Sequence, residues 1–295
     1  MISLPELAAA WIAFFHTPEP PFTIALFRIL FGFVTIASGL LYLPHASLWL
    51  GREGVLSHER WEATYGGVLF SLFRWLPPGR GSIHAIFALH LLGATCLALG
   101  LGTPVSAAIV FVTLTSIHHR HPEVTHGGDS LMRMMSFLLI FSPAGEAWSL
   151  DAILAGAGAP TPSSPWVLRL LQLQVSFVYF QSFVAKMKGE TWRMGTAVYW
   201  ASMVSDYRRR PVPVAMRTLW WSRAATWGTL ALEFALGPLV WLREFRYPVV
   251  ATAAVFHLVL EVLMNVQLFG AIMLTGLVTF VSPYDLERLV SALWP

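Results

Sequence analysis

Long apolar runs alternate along this chain with polar breaks rich in Gly and Pro. A membrane-crossing helix needs roughly 20 mostly apolar residues. Runs of this kind fall at 22–43, 83–101, 104–118, 130–142, 166–185, 226–242, 247–264 and 266–282. The pattern predicts about eight spans, with ends free to move by several residues. Gly100, Gly102 and Pro104 divide the second run from the third, and Pro143-Ala-Gly145 closes the fourth. Asn265 and Gln267 interrupt an otherwise continuous stretch from 247 to 282. Two longer polar stretches remain. One, from Pro44 to Gly81, has room for a short helix around Glu59 to Tyr65. The other, Lys186 to Arg223, carries Lys186, Lys188, Arg193, Arg208, Arg209, Arg210, Arg217 and Arg223. Ala155 to Pro165 is a Gly/Ala/Pro/Ser loop. Leu4 to Phe15 is expected to be a short helix lying in the membrane interface, stopped by His16-Thr-Pro-Glu-Pro-Pro21. The first twenty residues lack a basic start and contain Glu6 and Glu19, so no signal peptide is expected.

Composition supports the same picture. Of 295 residues, 56% are hydrophobic and only 12% charged, with a mean hydropathy of +0.62. Ordinary soluble domains carry about 25% charged residues. The balance excludes a soluble enzyme, a disordered chain, a coiled coil and a disulfide scaffold. It leaves an all-α, polytopic membrane bundle, expected as a single domain over 1–295 with an interfacial segment at 1–20. The lone Cys96 forms no internal disulfide. A net charge of +3 suits loops beside anionic lipid and is too scattered for nucleic acid. With eight spans, the basic stretches and the Arg120 loop share one side, which the positive-inside rule makes cytoplasmic.

Ionisable groups inside apolar runs need a reason, because burying them in lipid is costly. Arg28 lies in the first run and Glu233 in the sixth. Either can lock helices together as a paired buried group. His257 and Glu261 are four apart on one helical face, with Asn265 continuing the stripe, so they read as a locking pair or as a pocket wall. The segment Ser116-Ile-His-His-Arg-His-Pro-Glu-Val-Thr-His-Gly-Gly-Asp129 is the densest in chemistry. His118, His119, His121 and His126, with Glu123 and Asp129, offer ligands suited to zinc, copper or iron, although the spacing matches no standard metal motif. Asp129 can instead cap the following helix, with Gly127-Gly128 making the turn. Lys186 and Lys188 leave the end of an apolar helix. They either snorkel to the interface or sit desolvated, where an amine can act as a general base. P-loop, Gly-x-Gly-x-x-Gly, Gly-x-Ser-x-Gly, His-Glu-x-x-His and Cys-x-x-Cys motifs are all absent.

Several segments, taken in order, resemble the HTTM family. They are Leu26-Phe-Arg28-Ile-Leu-Phe-Gly32-Phe, the loop His118 to Asp129, Trp148-Ser-Leu-Asp151, Val178-Tyr-Phe180 with Lys186 through Trp192, and Met264-Asn265-Val-Gln267-Leu-Phe269. The resemblance is to a bacterial homologue of the membrane part of vitamin K-dependent gamma-carboxylase. It implies an enzyme that binds a reduced naphthoquinone, oxidises or epoxidises it with oxygen, and in the carboxylase couples this to carboxylation, a lyase reaction. The family lysine that begins quinol deprotonation corresponds to Lys186 or Lys188, and Lys186-Met187 fits the family's lysine-apolar step better. The resemblance further implies His126 and His257 as catalytic partners. Asp129, Tyr179, Trp192, Asn265 and Gln267 are implied as quinone contacts. The carboxylase continues into a large further domain, whereas this chain ends at Pro295, so protein glutamate carboxylation is not the expected reaction. Family orientation would put the Lys186 loop outside, against the positive-inside count.

The reading is therefore a multi-pass enzyme of a bacterial inner membrane, using a quinone-like lipid within the bilayer and no nucleic acid. Its pocket is expected to gather the His118–Asp129 loop, Lys186 and the His257/Asn265 stripe. Two rivals stand: a metal-dependent enzyme on His118, His119, His121 and His126, and a non-catalytic lipid-binding or assembly protein.

Overall fold

The computed structural model describes residues 3–76, 79–211 and 213–293. The chain divides into two compact units. The first runs to Leu168 and resumes at Pro283, and the second is Arg169–Ser282. Both are helical.

The first unit opens with α1 (Leu4–His16). Its start is a capping box: the Glu6 carboxylate accepts from the Ser3 N–H at 2.8 Å while the Ser3 hydroxyl accepts from the Glu6 N–H at 3.4 Å. Pro20-Pro21 then breaks the chain before α2 (Phe22–Tyr42). The polar stretch that follows holds α3 (Ala46–Leu50) and α4 (His58–Tyr65), the latter where the expected short helix lies. Next come α5 (Arg80–Leu99), α6 (Thr103–Arg120), α7 (Gly127–Leu139) and α8 (Leu150–Leu154). The α5–α6 turn rests on Gly100 and Gly102, at φ 69° and 54°, which residues with a Cβ rarely adopt. Helix packing in this unit uses small residues. A Cβ on Gly32 of α2 would lie 2.7 Å from the Ala98 Cα of α5, so the two backbones nearly touch. Gly93 of α5 similarly admits Ile109 of α6. An apolar cluster including Leu50, Phe73, Phe87 and Ile117 fills the space beneath α3.

Arg28 is fully buried in this unit and acts as a lock. Its guanidinium donates to the carbonyls of Ala144 at 2.9 Å and Trp148 at 2.5 Å. Trp148 takes a left-handed backbone, φ 49°, at this position. Asp151 finishes the arrangement by capping α6 from a distance. It accepts from the Gly102 N–H at 2.7 Å, the Thr103 N–H at 3.0 Å and the Thr103 hydroxyl at 3.1 Å.

The helix α9 (Trp166–Met187) starts at the unit boundary and continues through the second unit. That unit also contains α10 (Glu190–Arg193), α11 (Ala197–Met203), α12 (Leu219–Leu236), α13 (Arg243–Leu263) and α14 (Phe269–Val278). The last helix, α15 (Pro283–Leu293), belongs to the first unit. Gly270 lets α14 settle on α13, because a Cβ there would meet the Glu261 carboxylate at 2.9 Å and the His257 carbonyl at 3.2 Å.

Among the described residues, four segments are long and apolar enough to cross a membrane: Phe22–Leu50, α5, α9 and α13. A fifth counts if α14 and α15 are taken as one broken span. Of the eight expected spans, these four to five have the length and apolar character to cross a membrane. Every expected run is helical, but α7 and α14 have only 13 and 10 helical residues. Polar and charged residues dilute α6 and α12. The helix α12 also starts seven residues before the apolar run, because the Thr218 hydroxyl caps it by accepting from the Trp221 N–H at 3.4 Å.

Candidate functional site

The second unit is organised by a polar stripe on α9. Gln172, Ser176, Tyr179, Ser182 and Lys186 recur at three- and four-residue steps and therefore share one helical face. Each meets a polar partner. Gln172 donates to the Thr279 carbonyl at 2.7 Å, and the Trp241 indole N–H donates to the Ser176 hydroxyl at 3.1 Å. The Tyr179 hydroxyl and the Nε2 of His257, from α13, are 2.7 Å apart.

At the end of the stripe, Lys186 Nζ donates to Glu233 Oε1 of α12 at 2.6 Å and to the Ser182 hydroxyl at 2.5 Å. Ser182 in turn donates to the same carboxylate oxygen at 3.1 Å. The ammonium also lies 5.1 Å from the centre of the Trp192 ring, over its face. The Lys186 side chain is 24% exposed and that of Glu233 9%. Lys186 thus folds inward onto a buried carboxylate and does not snorkel. Lys188 is exposed.

Among the described residues, four buried polar atoms of this unit have no hydrogen-bond partner: Glu233 Oε2, Arg246 Nε, His257 Nδ1 and Glu261 Oε2. Aromatic rings surround the histidine, with Phe256 and Phe269 edge-on at 5.3 and 5.8 Å. Arg209 closes the C-terminal end of α13. Its side chain donates to the Glu261 carbonyl at 2.8 Å, and its backbone N–H donates to the Leu263 carbonyl at 3.0 Å. Beside Ser176 of the stripe, an apolar groove of about 660 Å³ runs past Leu173, Phe177, Val178, Phe180, Pro238 and Trp241.

The first unit holds the histidine-rich segment. His126 is the N-cap of α7: its Nδ1 accepts from the Gly128 N–H at 3.0 Å, and Asp129 Oδ2 accepts from the His126 N–H at 2.8 Å. The expected cap is therefore corrected. His126 occupies the cap, Asp129 sits in the first turn as its reciprocal partner, and Gly127-Gly128 are already helical. Buried His118 takes a hydrogen bond from Arg133 at 3.2 Å, with its Nε2 3.8 Å from Asp129 Oδ1. His119 bonds the Phe70 carbonyl at 2.9 Å. His121 lies edge-on to Trp49 at 5.2 Å. His118 and His126 both approach Asp129 while His119 and His121 serve other neighbours, and among the described residues no three His, Cys, Asp or Glu side chains converge to hold a metal ion. Helix geometry explains this: consecutive residues point about 100° apart, so His118, His119 and the Arg120–His121 helix end diverge.

The fold also tunes the Asp151 carboxyl. Burial alone would raise its carboxyl, but the Thr103 and Gly102 N–H groups, the Thr103 hydroxyl and the Arg28 charge together hold it below the ordinary carboxylate range.

Of the expected site residues, the second unit brings Lys186 to Trp192 and Tyr179 to His257. It does not bring in Asn265 and Gln267. The helix α13 stops at Leu263, so Asn265 cannot continue the His257/Glu261 stripe, and both residues are exposed in the connection to α14. His126 and Asp129 belong to the first unit. The sequence carries one signal for Ser182, its position between Tyr179 and Lys186 on one face of α9, and none for the pairing of Glu233 with Lys186.

A family model described as the HTTM domain matches residues 16–284. A relative, "Uncharacterized protein YitO" of Bacillus subtilis (strain 168), is 25% identical over 173 residues, covering 55% of this chain and 55% of that protein. The chain thus matches about half the length of this relative. No solved structure matches the chain.

Proposed function

The chain belongs to the HTTM family, and from that premise we propose that it is a multi-pass enzyme of a bacterial cell membrane that oxidises a reduced quinone-like lipid, with Lys186 as general base. One observation carries the reading. Lys186 Nζ, Ser182 and Glu233 form a compact cluster in which the amine is 2.6 Å from the carboxylate. An amine can act as a base only when neutral. Here the proton can move along one short hydrogen bond from Nζ to Glu233 Oε1, leaving a neutral amine beside a neutral carboxyl. The cluster's net charge does not change, so the shift needs little rearrangement in an apolar surround. Ser182 keeps both partners aligned during the exchange.

The surrounding residues fit a phenolic ring with oxygen functions. Buried Glu233 Oε2 and His257 Nδ1 have no hydrogen-bond partner, so they can meet hydroxyl groups. Trp192 offers an aromatic face beside the amine, Phe256 and Phe269 offer edges around His257, and the groove along Phe177 and Phe180 offers an apolar surface for a tail elsewhere on the same helix. A reduced naphthoquinone, when bound, would supply electrons for oxygen-dependent chemistry. The protein's part is to accept the phenolic proton at Lys186, to hold the ring, and to keep water away.

The test is oxygen consumption by the full chain in lipid nanodiscs with a reduced naphthoquinone. The wild type is expected to turn over, and Lys186→Met to lose at least about a hundredfold in rate, as expected on removing a general base. Turnover unchanged in that variant removes Lys186 from the mechanism. Wild-type protein that binds the quinol and never oxidises it favours a lipid-binding role.

A further inference from the structure

The first unit contains a second cationic centre, separate from the Lys186 cluster, that the proposed function does not use. Arg120 ends α6 and is fully buried. Its Nη2 donates to the carbonyls of Gly51 at 3.0 Å and Leu56 at 2.9 Å. The guanidinium carbon stands 5.8 Å from the centre of the Trp61 ring, which is itself fully buried. These contacts use only one of its three nitrogens. Nε and Nη1 are buried with no hydrogen-bond partner, and so are both ring nitrogens of the next residue, His121, which is 2% exposed.

Arg28 in the same unit shows what a charge with a purely structural role looks like. Its Nε is also open, but both of its terminal nitrogens are bonded, and Asp151 lies near enough to act on it electrostatically. Among the described residues no carboxylate pairs with Arg120. A buried guanidinium stays charged at all ordinary pH values, and an unanswered buried charge is strongly disfavoured. Carbonyls, a tryptophan face and the helix C-terminus soften that cost without neutralising it.

We propose that Arg120 and His121 form a binding site for a small carboxylate-type oxyanion, walled by Trp49 and Trp61. The donors argue for an oxyanion over a halide. The open guanidinium N–H groups point in fixed directions, which the directional lone pairs of a carboxylate oxygen can meet and a spherical halide does not exploit, and the second carboxylate oxygen is left for a further donor such as the imidazole. The tryptophans keep water from competing. The carbonyls of Gly51 and Leu56 fix the guanidinium plane, so binding requires no large rearrangement.

The experiment is equilibrium dialysis of the detergent-solubilised full chain against radiolabelled formate in HEPES buffer with no other small carboxylate or added salt. Saturable binding of about one formate per chain is expected, weakened tenfold or more by Arg120→Gln. His121→Phe keeps an aromatic ring against Trp49 while removing both nitrogens, and is expected to weaken binding by several-fold. It stands as the test if Arg120→Gln fails to fold. Absence of saturable binding to the wild type overturns the proposal, as does affinity unchanged in the His121 variant. Displacement by chloride at equal concentration would overturn the oxyanion assignment.

Discussion

The Tyr179 hydroxyl lies 2.7 Å from His257 Nε2, although 78 residues separate them in sequence. Both side chains are almost fully buried, at 4% and 1% exposure. Their hydrogen bond ties α9 to α13 and fixes which way the imidazole faces. It leaves Nδ1 as the free nitrogen, the one that the proposed function assigns to substrate.

Tyr179→Phe keeps the ring and deletes the hydroxyl. It leaves a second buried imidazole nitrogen unpaired, a loss of about 1–2 kcal/mol. Denaturant or thermal unfolding of the full chain in detergent should show it. If His257 is held in place for chemistry, the same variant should also lower quinol turnover by more than its stability loss explains. Wild-type stability in Tyr179→Phe would mean that the bond contributes nothing.

Lys186 and Glu233 should behave as one unit. Lys186→Met strands a buried carboxylate and Glu233→Gln strands an amine, and removing one partner of a buried pair costs about 3–5 kcal/mol at the upper end. Lys186 is partly exposed, so its own loss of pairing should cost less than that of Glu233. The double variant should be less destabilised than the sum of the two singles. Strict additivity in a double-mutant cycle would show that the two charges do not interact.

Two glycines should respond in opposite directions. Gly32→Ala forces a methyl against the Ala98 backbone at 2.7 Å, where nothing can yield cheaply. Overpacking of this kind costs about 1–3 kcal/mol. Gly228, in α12, faces open space. Gly228→Ala should therefore stabilise by up to about 1 kcal/mol through helix propensity. Thermal midpoints of the two variants should move apart from that of the wild type.

Asp151 predicts an acid-sensitive first unit. Its folded carboxyl is held below the ordinary range. The stability it contributes is therefore present above the unfolded value of about 3.8 and is lost as the pH falls through the folded value. Asp151→Asn should be less stable than the wild type at neutral pH, with the gap shrinking in acid. Unfolding midpoints measured from pH 7 down to pH 3 check this. A gap that stays constant would show that the carboxylate charge is irrelevant to the cap.

Much of this architecture was legible in the apolar pattern, because a helix in lipid must satisfy its backbone within itself and cover itself with apolar side chains. The segments α2, α5, α9 and α13 follow directly from runs of that kind. The short helix α4 was also anticipated. Family membership was readable in the order of short segments. The number of spans is less legible than their helical character. The pattern cannot tell a helix buried by neighbours from one facing lipid, and the short α7 and α14 look apolar for either reason.

The site divides along the same line. Lys186, Tyr179 and His257 were visible as polar residues in apolar surroundings, which need a reason wherever they occur. The partners were not visible. Glu233 lies 47 residues from Lys186, and His257 lies 78 from Tyr179, distances over which sequence carries no geometric information. The helical stripe failed at Asn265 because the chain leaves the helix at Leu263, and four-residue spacing means a shared face only while the helix lasts. The histidine cluster looked like a ligand set because its members are close in sequence. In the fold His118 and His119 diverge, since neighbouring helical residues point about 100° apart, and among the described residues no three potential ligands converge. Sequence alone determined which residues have to be buried and in what kind of element. Tertiary structure decided which buried polar groups answer one another, because that depends on helices brought together from distant parts of the chain.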